Sequence, residues 1–388
     1  MGIRTRASVI ALTVAASASV GIVTASPAHA DGPGVGAPTI VTVGDSFIAG
    51  EGGRWAGNTN GSSTNVDALG PTAYFDNSSN TAELLDLCHR SKAAEAHIGG
   101  GVISANLACS GATTHTQSGP PFKPGIDFFD DGAGHRGQAR MLVDYATTHN
   151  VRMVVLSIGG NDFNLAGLVT SCISDFLLSS SWFPDYCNDD ASVLANFTAA
   201  NIHDRTADIK GAIHNLRVAM KDAGYAKHEY TIVVQNYMSP LAPGTAYRYS
   251  QSGYTRQTTG GCGFWNRDAT WANDTALPTI NDSIRKAVSE AGGNVVLMDL
   301  AHAFDGRRLC ENTVGLLEEA GLSSWRDAAA ADRTEWITQV RTASTIFGPY
   351  FVQESFHPNY WGELALRNCV RQAYHGGHPR GGTCARGT

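Results

Sequence analysis

A three-layer α/β/α sandwich built on a parallel sheet is the fold class that this sequence predicts. Five short runs rich in Val and Ile, at 39–43, 102–107, 151–158, 230–235 and 294–300, mostly do not alternate polar with apolar residues. Runs of that kind suit parallel strands buried on both faces. Helical patterns separate several of them, at 138–149, 199–223 and 275–291. Strands alternating with helices imply a parallel sheet covered on both sides. The chain has 388 residues, more than a typical domain, but an α/β domain reaches this size when its loops carry insertions.

Taken in order, residues 1–30 read as a secretory signal peptide and not as part of the fold. Arg4 and Arg6 give a positive start, an apolar run diluted by Ser and Thr follows, and Ala28-His29-Ala30 is a small-x-small cleavage site. A membrane anchor is the competing reading, and the diluted run and the cleavage site argue against it. No later segment has the roughly 18 continuous apolar residues that a spanning helix needs. The expected mature chain, 31–388, is a single domain. In the helix expected at 199–223, Ile202, Ile209, Ile213, Leu216 and Met220 fall mostly on one face, and Gly224 ends it. The helix at 275–291 carries Leu277, Ile280, Ile284 and Val288. Three stretches, 54–87, 171–196 and 242–273, exceed ordinary loop length.

The formal net charge is −7, and removal of 1–30 takes away two arginines and no acid. An acidic surface argues against nucleic acid and against electrostatic attachment to anionic membrane. The eight cysteines are all downstream of residue 30, and an even number in an exported chain implies disulfides. Neighbours are expected to pair in order: Cys88–Cys109, Cys172–Cys187, Cys262–Cys310 and Cys369–Cys384. No CxxC or close Cys/His cluster marks a structural zinc site. Asp127, Asp130 and Asp131 fit a solvated acidic loop better than a calcium site.

Four blocks carry chemistry. Gly44-Asp45-Ser46 follows the first strand, where the chain must turn, and offers a serine hydroxyl that needs a neighbouring base to become a nucleophile. Read alone, it is equally a turn signal. The block 106–114 runs from a strand end into a small-residue turn, where Gly111 can bring its N–H close to a substrate oxygen. The block 154–162 delivers Asn161, whose side-chain amide can donate to an oxyanion, and Asp162, which suits an Asx-type role holding the loop. The block 354–359 supplies His357 as the base, with Pro358 stiffening its loop ahead of a helical pattern at 360–374. Nucleophile and base lie far apart in sequence, as convergent triads allow.

In this order the four blocks resemble the SGNH hydrolase superfamily, also called the GDSL lipases and esterases. Ser46, Gly111, Asn161 and His357 match the four letters, and Cys88-His89-Arg90-Ser91 with Cys109 looks like the secreted actinobacterial branch. The resemblance covers most of the mature chain. It implies a flavodoxin-like sheet of five strands in the order 2-1-3-4-5, no metal or organic cofactor, and an oxyanion hole formed by the Ser46 N–H, the Gly111 N–H and the Asn161 amide. The family usually places Asp three residues before the histidine, whereas this chain has Glu354. Glu354 is favoured as the group that orients His357, and the main-chain carbonyl of Ser355 is the alternative.

The implied activity is carboxylic ester hydrolysis through an acyl-enzyme by a secreted monomer. Lipid acyl esters, including a phospholipase A type of action, rank ahead of O-acetylated carbohydrate, and a non-catalytic binding module ranks last. Small-molecule or lipid esters are the expected partners, without nucleic acid and without stable membrane insertion. The apolar insert 175–186 fits an acyl wall or lid, or simply a cover for the core beneath it. Tyr247, Tyr249, Tyr254, Trp265 and Trp271 would suit stacking on sugar rings.

Overall fold

Seven residues at Pro38–Gly44, all buried except the exposed Pro38, form the first strand, β1, at the heart of the sheet. The structure is a computed structural model that describes residues 32–341 and 349–384. The expected signal peptide lies outside the described residues. The strands β2 (Ile103–Asn106), β3 (Asn150–Ser157), β4 (Thr231–Gln235), β5 (Val295–Asp299) and β6 (Gly382–Thr383) complete one sheet in the order β2-β1-β3-β4-β5-β6. Every pairing is parallel. The order 2-1-3-4-5 is the one expected. The sixth strand is an addition of two residues at the edge, from a glycine-rich tail that the Cys369–Cys384 disulfide ties back.

Helices flank the sheet, as expected for a sandwich. The principal ones are α1 (Ser46–Ala49), α2 (Gln138–Ala146), α3 (Leu165–Leu178), α4 (Ala199–Asp222), α5 (Leu277–Ala291) and α6 (Tyr360–Tyr374). Ile209, Ile213, Leu216 and Met220 of α4 are fully buried. Each such aliphatic side chain stabilises the fold by about 1.5–3 kcal/mol relative to exposure. α2 and α5 pack beside α4, and α6 is fastened to the 92–98 segment by Arg367 and Arg371 donating to its carbonyls. Disulfides join Cys88–Cys109, Cys172–Cys187 and Cys262–Cys310 as well. No helix among the described residues is long and apolar enough to cross a membrane.

The sheet order reverses at β1, which lies between β2 and β3. The connection leaving β1 runs to β2 on one side and the connection leaving β3 runs to β4 on the other, so they diverge between β1 and β3 and open a crevice beyond the carboxyl ends of the strands. Register fixes what meets in that crevice: Gly44 pairs with Ser157, and Thr42 pairs with Asn106. The turns after β1, β2 and β3 therefore converge.

Candidate active site

Gly44 has to be glycine. Its φ is +141°, and a Cβ would stand 2.0 Å from the carbonyl oxygen of Ser157. The Gln138 side chain clasps its backbone, accepting from the N–H at 2.7 Å and donating to the carbonyl at 2.8 Å. The chain then turns into α1. Asp45 caps that helix by accepting from the Phe47 N–H at 3.1 Å, and Ser46 is its first residue.

The Ser46 hydroxyl lies 2.7 Å from His357 Nε2. His357 Nδ1 lies 2.9 Å from the main-chain carbonyl of Ser355. A carbonyl can only accept, so Nδ1 carries the ring hydrogen and Nε2 presents its lone pair to the hydroxyl. Phe356 adopts φ +66° between them, a left-handed conformation unusual for a bulky residue. The turn it makes brings the carbonyl of Ser355 back to the ring two residues on. Thr338 holds the same loop, its hydroxyl accepting from the His357 N–H at 3.1 Å. Burial holds the His357 imidazole below its usual pKa, with the nearby Glu51 charge opposing. That shift favours the neutral form of the ring.

The Glu354 carboxylate, expected at Nδ1, is elsewhere. It accepts from Trp55 Nε1 at 2.8 Å, from the Tyr74 hydroxyl at 2.6 Å and from the Phe351 N–H at 2.9 Å. Burial pushes its carboxyl up, against the hydrogen bonds from Tyr74 and Trp55. The structure gives Nδ1 to the Ser355 carbonyl because two aromatic donors from the 54–87 loop already hold the acid.

The two turns beside the serine are tied together. Gly111 has φ +82° and follows Cys109, which is bonded to Cys88. The Asn161 amide donates to the Ala112 carbonyl at 2.8 Å, which leaves its second N–H for another acceptor. Asp162 accepts from the Thr114 N–H at 3.1 Å and from its hydroxyl at 2.6 Å, so in place of the local Asx-type role expected it ties its own loop to the 106–114 turn. Tyr237 completes the frame. Its hydroxyl accepts from the Gly160 N–H at 2.9 Å and donates to Asp45. Burial raises the Asp45 carboxyl to about 7, with the Tyr237 hydrogen bond opposing. On the other side, Glu51 and His89 form a fully buried pair at 2.8 Å, and Gln353 donates to Glu51 at 2.9 Å. Burial alone would raise the Glu51 carboxyl, but His89 outweighs it and holds it low. Sequence reasoning assigned no role to Tyr237 or Glu51. Both act through partners dozens to hundreds of residues away, and neither sits in a recognisable local pattern.

Ser46, Gly111, Asn161 and His357 line one cavity of about 340 Å³. The rest of its wall is largely apolar and includes Leu165 and Val169 of α3 together with Phe356 and Val352. A smaller apolar cavity shares Phe47, Leu165, Val169, Tyr237 and Phe356 as walls and runs on to Leu277 and Ile280 of α5. Residues 175–186 line neither of these cavities. The apolar wall comes instead from the start of α3, ten residues earlier in the chain. Of the aromatic residues suited to sugar stacking, Trp265 is buried against Phe176, with ring centroids 4.8 Å apart, Tyr247 is half-buried beneath the Arg256 guanidinium, and Tyr254 is exposed. Among the described residues no group of three or more His, Cys, Asp or Glu side chains is arranged to hold a metal ion. Asp127 instead accepts from Thr116 and Phe129, and Asp131 pairs with His135.

A hydroxyl hydrogen-bonded to a free imidazole lone pair, beside two glycine-bearing turns and a side-chain amide, can support acyl transfer. Residues 40–366 match the family model described as GDSL-like lipase/acylhydrolase. Among solved structures the chain is similar to an extracellular lipase from Streptomyces rimosus, at 19% identity over 86% of this chain and 99% of that one, with a TM-score of 0.45. It is similar to a phospholipase A1 from Streptomyces albidoflavus NA297, at 19% identity over 87% and 99%, with a TM-score of 0.42. It is also similar to a carbohydrate esterase family 2 enzyme with a carbohydrate-binding domain from Corynascus thermopiles (Myceliophthora fergusii), at 14% identity over 89% and 68%, with a TM-score of 0.37. No curated protein matches the chain.

Proposed function

The chain belongs to the GDSL-like lipase/acylhydrolase family, and on that premise we propose that it is a secreted serine esterase acting on acyl esters, with lipid esters as its substrate class. The observation that carries the reading is the 2.7 Å contact between Ser46 Oγ and His357 Nε2, with Nδ1 fixed by the Ser355 carbonyl, at the mouth of an apolar cavity. In this mechanism His357 takes the proton as Ser46 attacks the ester carbonyl. The Ser46 N–H, the Gly111 N–H and the Asn161 amide stabilise the oxyanion. His357 then protonates the leaving alcohol, and water, activated by the same imidazole, releases the acid.

An acyl chain is favoured over a sugar-borne acetyl group by the two apolar cavities that share Phe47, Leu165, Val169, Tyr237 and Phe356 as walls, and by the burial of Trp265 in the interior. Four disulfides support export, and residues 31–388 act in this reading as one hydrolase domain behind a cleaved signal peptide. The test is hydrolysis of p-nitrophenyl esters from acetyl to palmitoyl by the oxidised wild type and Ser46→Ala. The expected result is activity that the substitution abolishes, with an optimum beyond acetyl. An optimum at acetyl would transfer the reading to acetyl esters. Full activity in Ser46→Ala would remove Ser46 from the mechanism.

A further inference from the structure

The insert that fails to line the cavity does something else. Leu178, Trp182 and Phe183 are 88%, 86% and 84% exposed, which is unusual for three large apolar side chains within six residues. Their exposure is held by built structure. Phe176, a few residues before them, is buried against Trp265. The Cys172–Cys187 disulfide closes the segment, and Arg267 lies over the Tyr186 ring. Ser180 and Phe183 bridge across a tight turn, and the Asp185 N–H donates to the Ser179 hydroxyl at 3.0 Å. The base is packed and the tip is presented to solvent.

The surroundings select the occupant. Residues 171–190 carry Asp175, Asp185, Asp189 and Asp190 and no lysine or arginine. Arg267, at the base, is already paired with Asp189 at 2.8 Å. An acidic collar disfavours an anionic surface. Three side chains present a few hundred Å², below the roughly 800 Å² per partner of a stable protein interface, but a Trp and a Phe on a pinned turn suit insertion at the level of lipid headgroups. α3 also joins the tip to the cavity. Val169 lines the cavity and Leu178 ends the same helix, about 14 Å further along its axis.

We propose that Leu178, Trp182 and Phe183 form a docking thumb that seats the protein on a zwitterionic lipid surface, with the α3 helix setting the distance from that surface to the cavity. The docking itself is independent of catalysis; its purpose rests on the lipid-ester reading.

The experiment uses the secreted chain carrying Ser46→Ala, so that lipid is not consumed, sedimented with phosphatidylcholine vesicles. The expected result is binding that falls about tenfold or more in Trp182→Ser/Phe183→Ser, is largely restored in Trp182→Phe/Phe183→Leu, and weakens when phosphatidylglycerol is mixed into the vesicles. Unchanged melting temperature of the serine variant shows that the fold is kept. Absence of vesicle binding by the parent, equal binding by the serine variant, or binding that strengthens with phosphatidylglycerol would overturn the proposal. So would a dimer, seen by light scattering, that the substitutions abolish, because the patch would then belong to a second copy. Failure of the hydrolase reading is seen separately, as absence of ester hydrolysis by the Ser46 protein.

Discussion

Glu354→Gln separates two ways of orienting His357. Gln keeps the length and shape of Glu354 and removes only its charge and one acceptor. If the carboxylate held the imidazole, the change would resemble loss of the triad acid, which lowers kcat by about 10⁴. The geometry gives a different magnitude. His357 Nδ1 is satisfied by the Ser355 carbonyl at 2.9 Å, and that bond is untouched. The substitution falls on three donors, Trp55, Tyr74 and the Phe351 N–H. The Gln oxygen can keep one side of this set. Its NH₂ group can face the Tyr74 oxygen as a donor but cannot accept from Tyr74, Trp55 or Phe351. The cost is the weakening of one or two hydrogen bonds to a charged group, each about 1.5–3 kcal/mol in stability. The expected outcome is a lower melting temperature with kcat on p-nitrophenyl butyrate within about tenfold of wild type, since the loop is loosened without losing its tautomer lock. Steady-state kinetics and thermal unfolding on the same preparation check it. A fall in kcat of about 10³ or more with an unchanged melting temperature would refute the assignment of Nδ1 to the carbonyl.

Asn161→Ala removes a proposed oxyanion donor and is expected to lower kcat by about 10²–10³ with the fold intact; an unchanged kcat would end that assignment. Because burial holds the His357 pKa low, the acid limb of kcat/KM against pH is expected at a midpoint below about 6.5, the free histidine value, and a midpoint above it would contradict a neutral buried ring. The same shift has a sign in stability: the unfolded chain binds the proton first, so the contribution of His357 is present above about pH 6.5 and is lost as pH falls through its lower folded pKa. Tyr237→Phe strips a donor from buried Asp45 and an acceptor from the Gly160 N–H. It is expected to destabilise by about 1–3 kcal/mol per group left unpaired and to lower kcat through a displaced Asn161 loop, as read by denaturant unfolding and by kinetics.

The parts of this fold that were legible in the sequence are those written in local chemistry. Five Val- and Ile-rich runs gave five strands, and the stripe Ile209, Ile213, Leu216 and Met220 gave α4. β6 was not legible because it is Gly382-Thr383, two residues with no apolar pattern, held by a disulfide and a neighbouring strand. α3 was missed for a different reason. Its apolar residues, including Leu165, Leu168, Val169, Ile173, Phe176, Leu177 and Leu178, run around the helix instead of along one stripe. It also starts at Asn164 in a left-handed conformation with no side-chain cap, so the usual start signal is absent.

That failure has one physical origin, and it explains the site as well. A helix apolar on several faces is serving several surfaces: α3 packs on the core through Leu168 and Phe176, walls the cavity through Leu165 and Val169, and exposes Leu178. Periodicity reports a helix with one buried face and is silent for one with three. The candidate site divides along the same line. Ser46, Gly111, Asn161 and His357 stand at strand ends and turns whose small residues mark them locally. The choice between Glu354 and the Ser355 carbonyl is made by Trp55 and Tyr74, 299 and 280 residues away from the acid they hold. The sequence can display the acid three residues before His357, but only the packed 54–87 loop decides where its charge is spent.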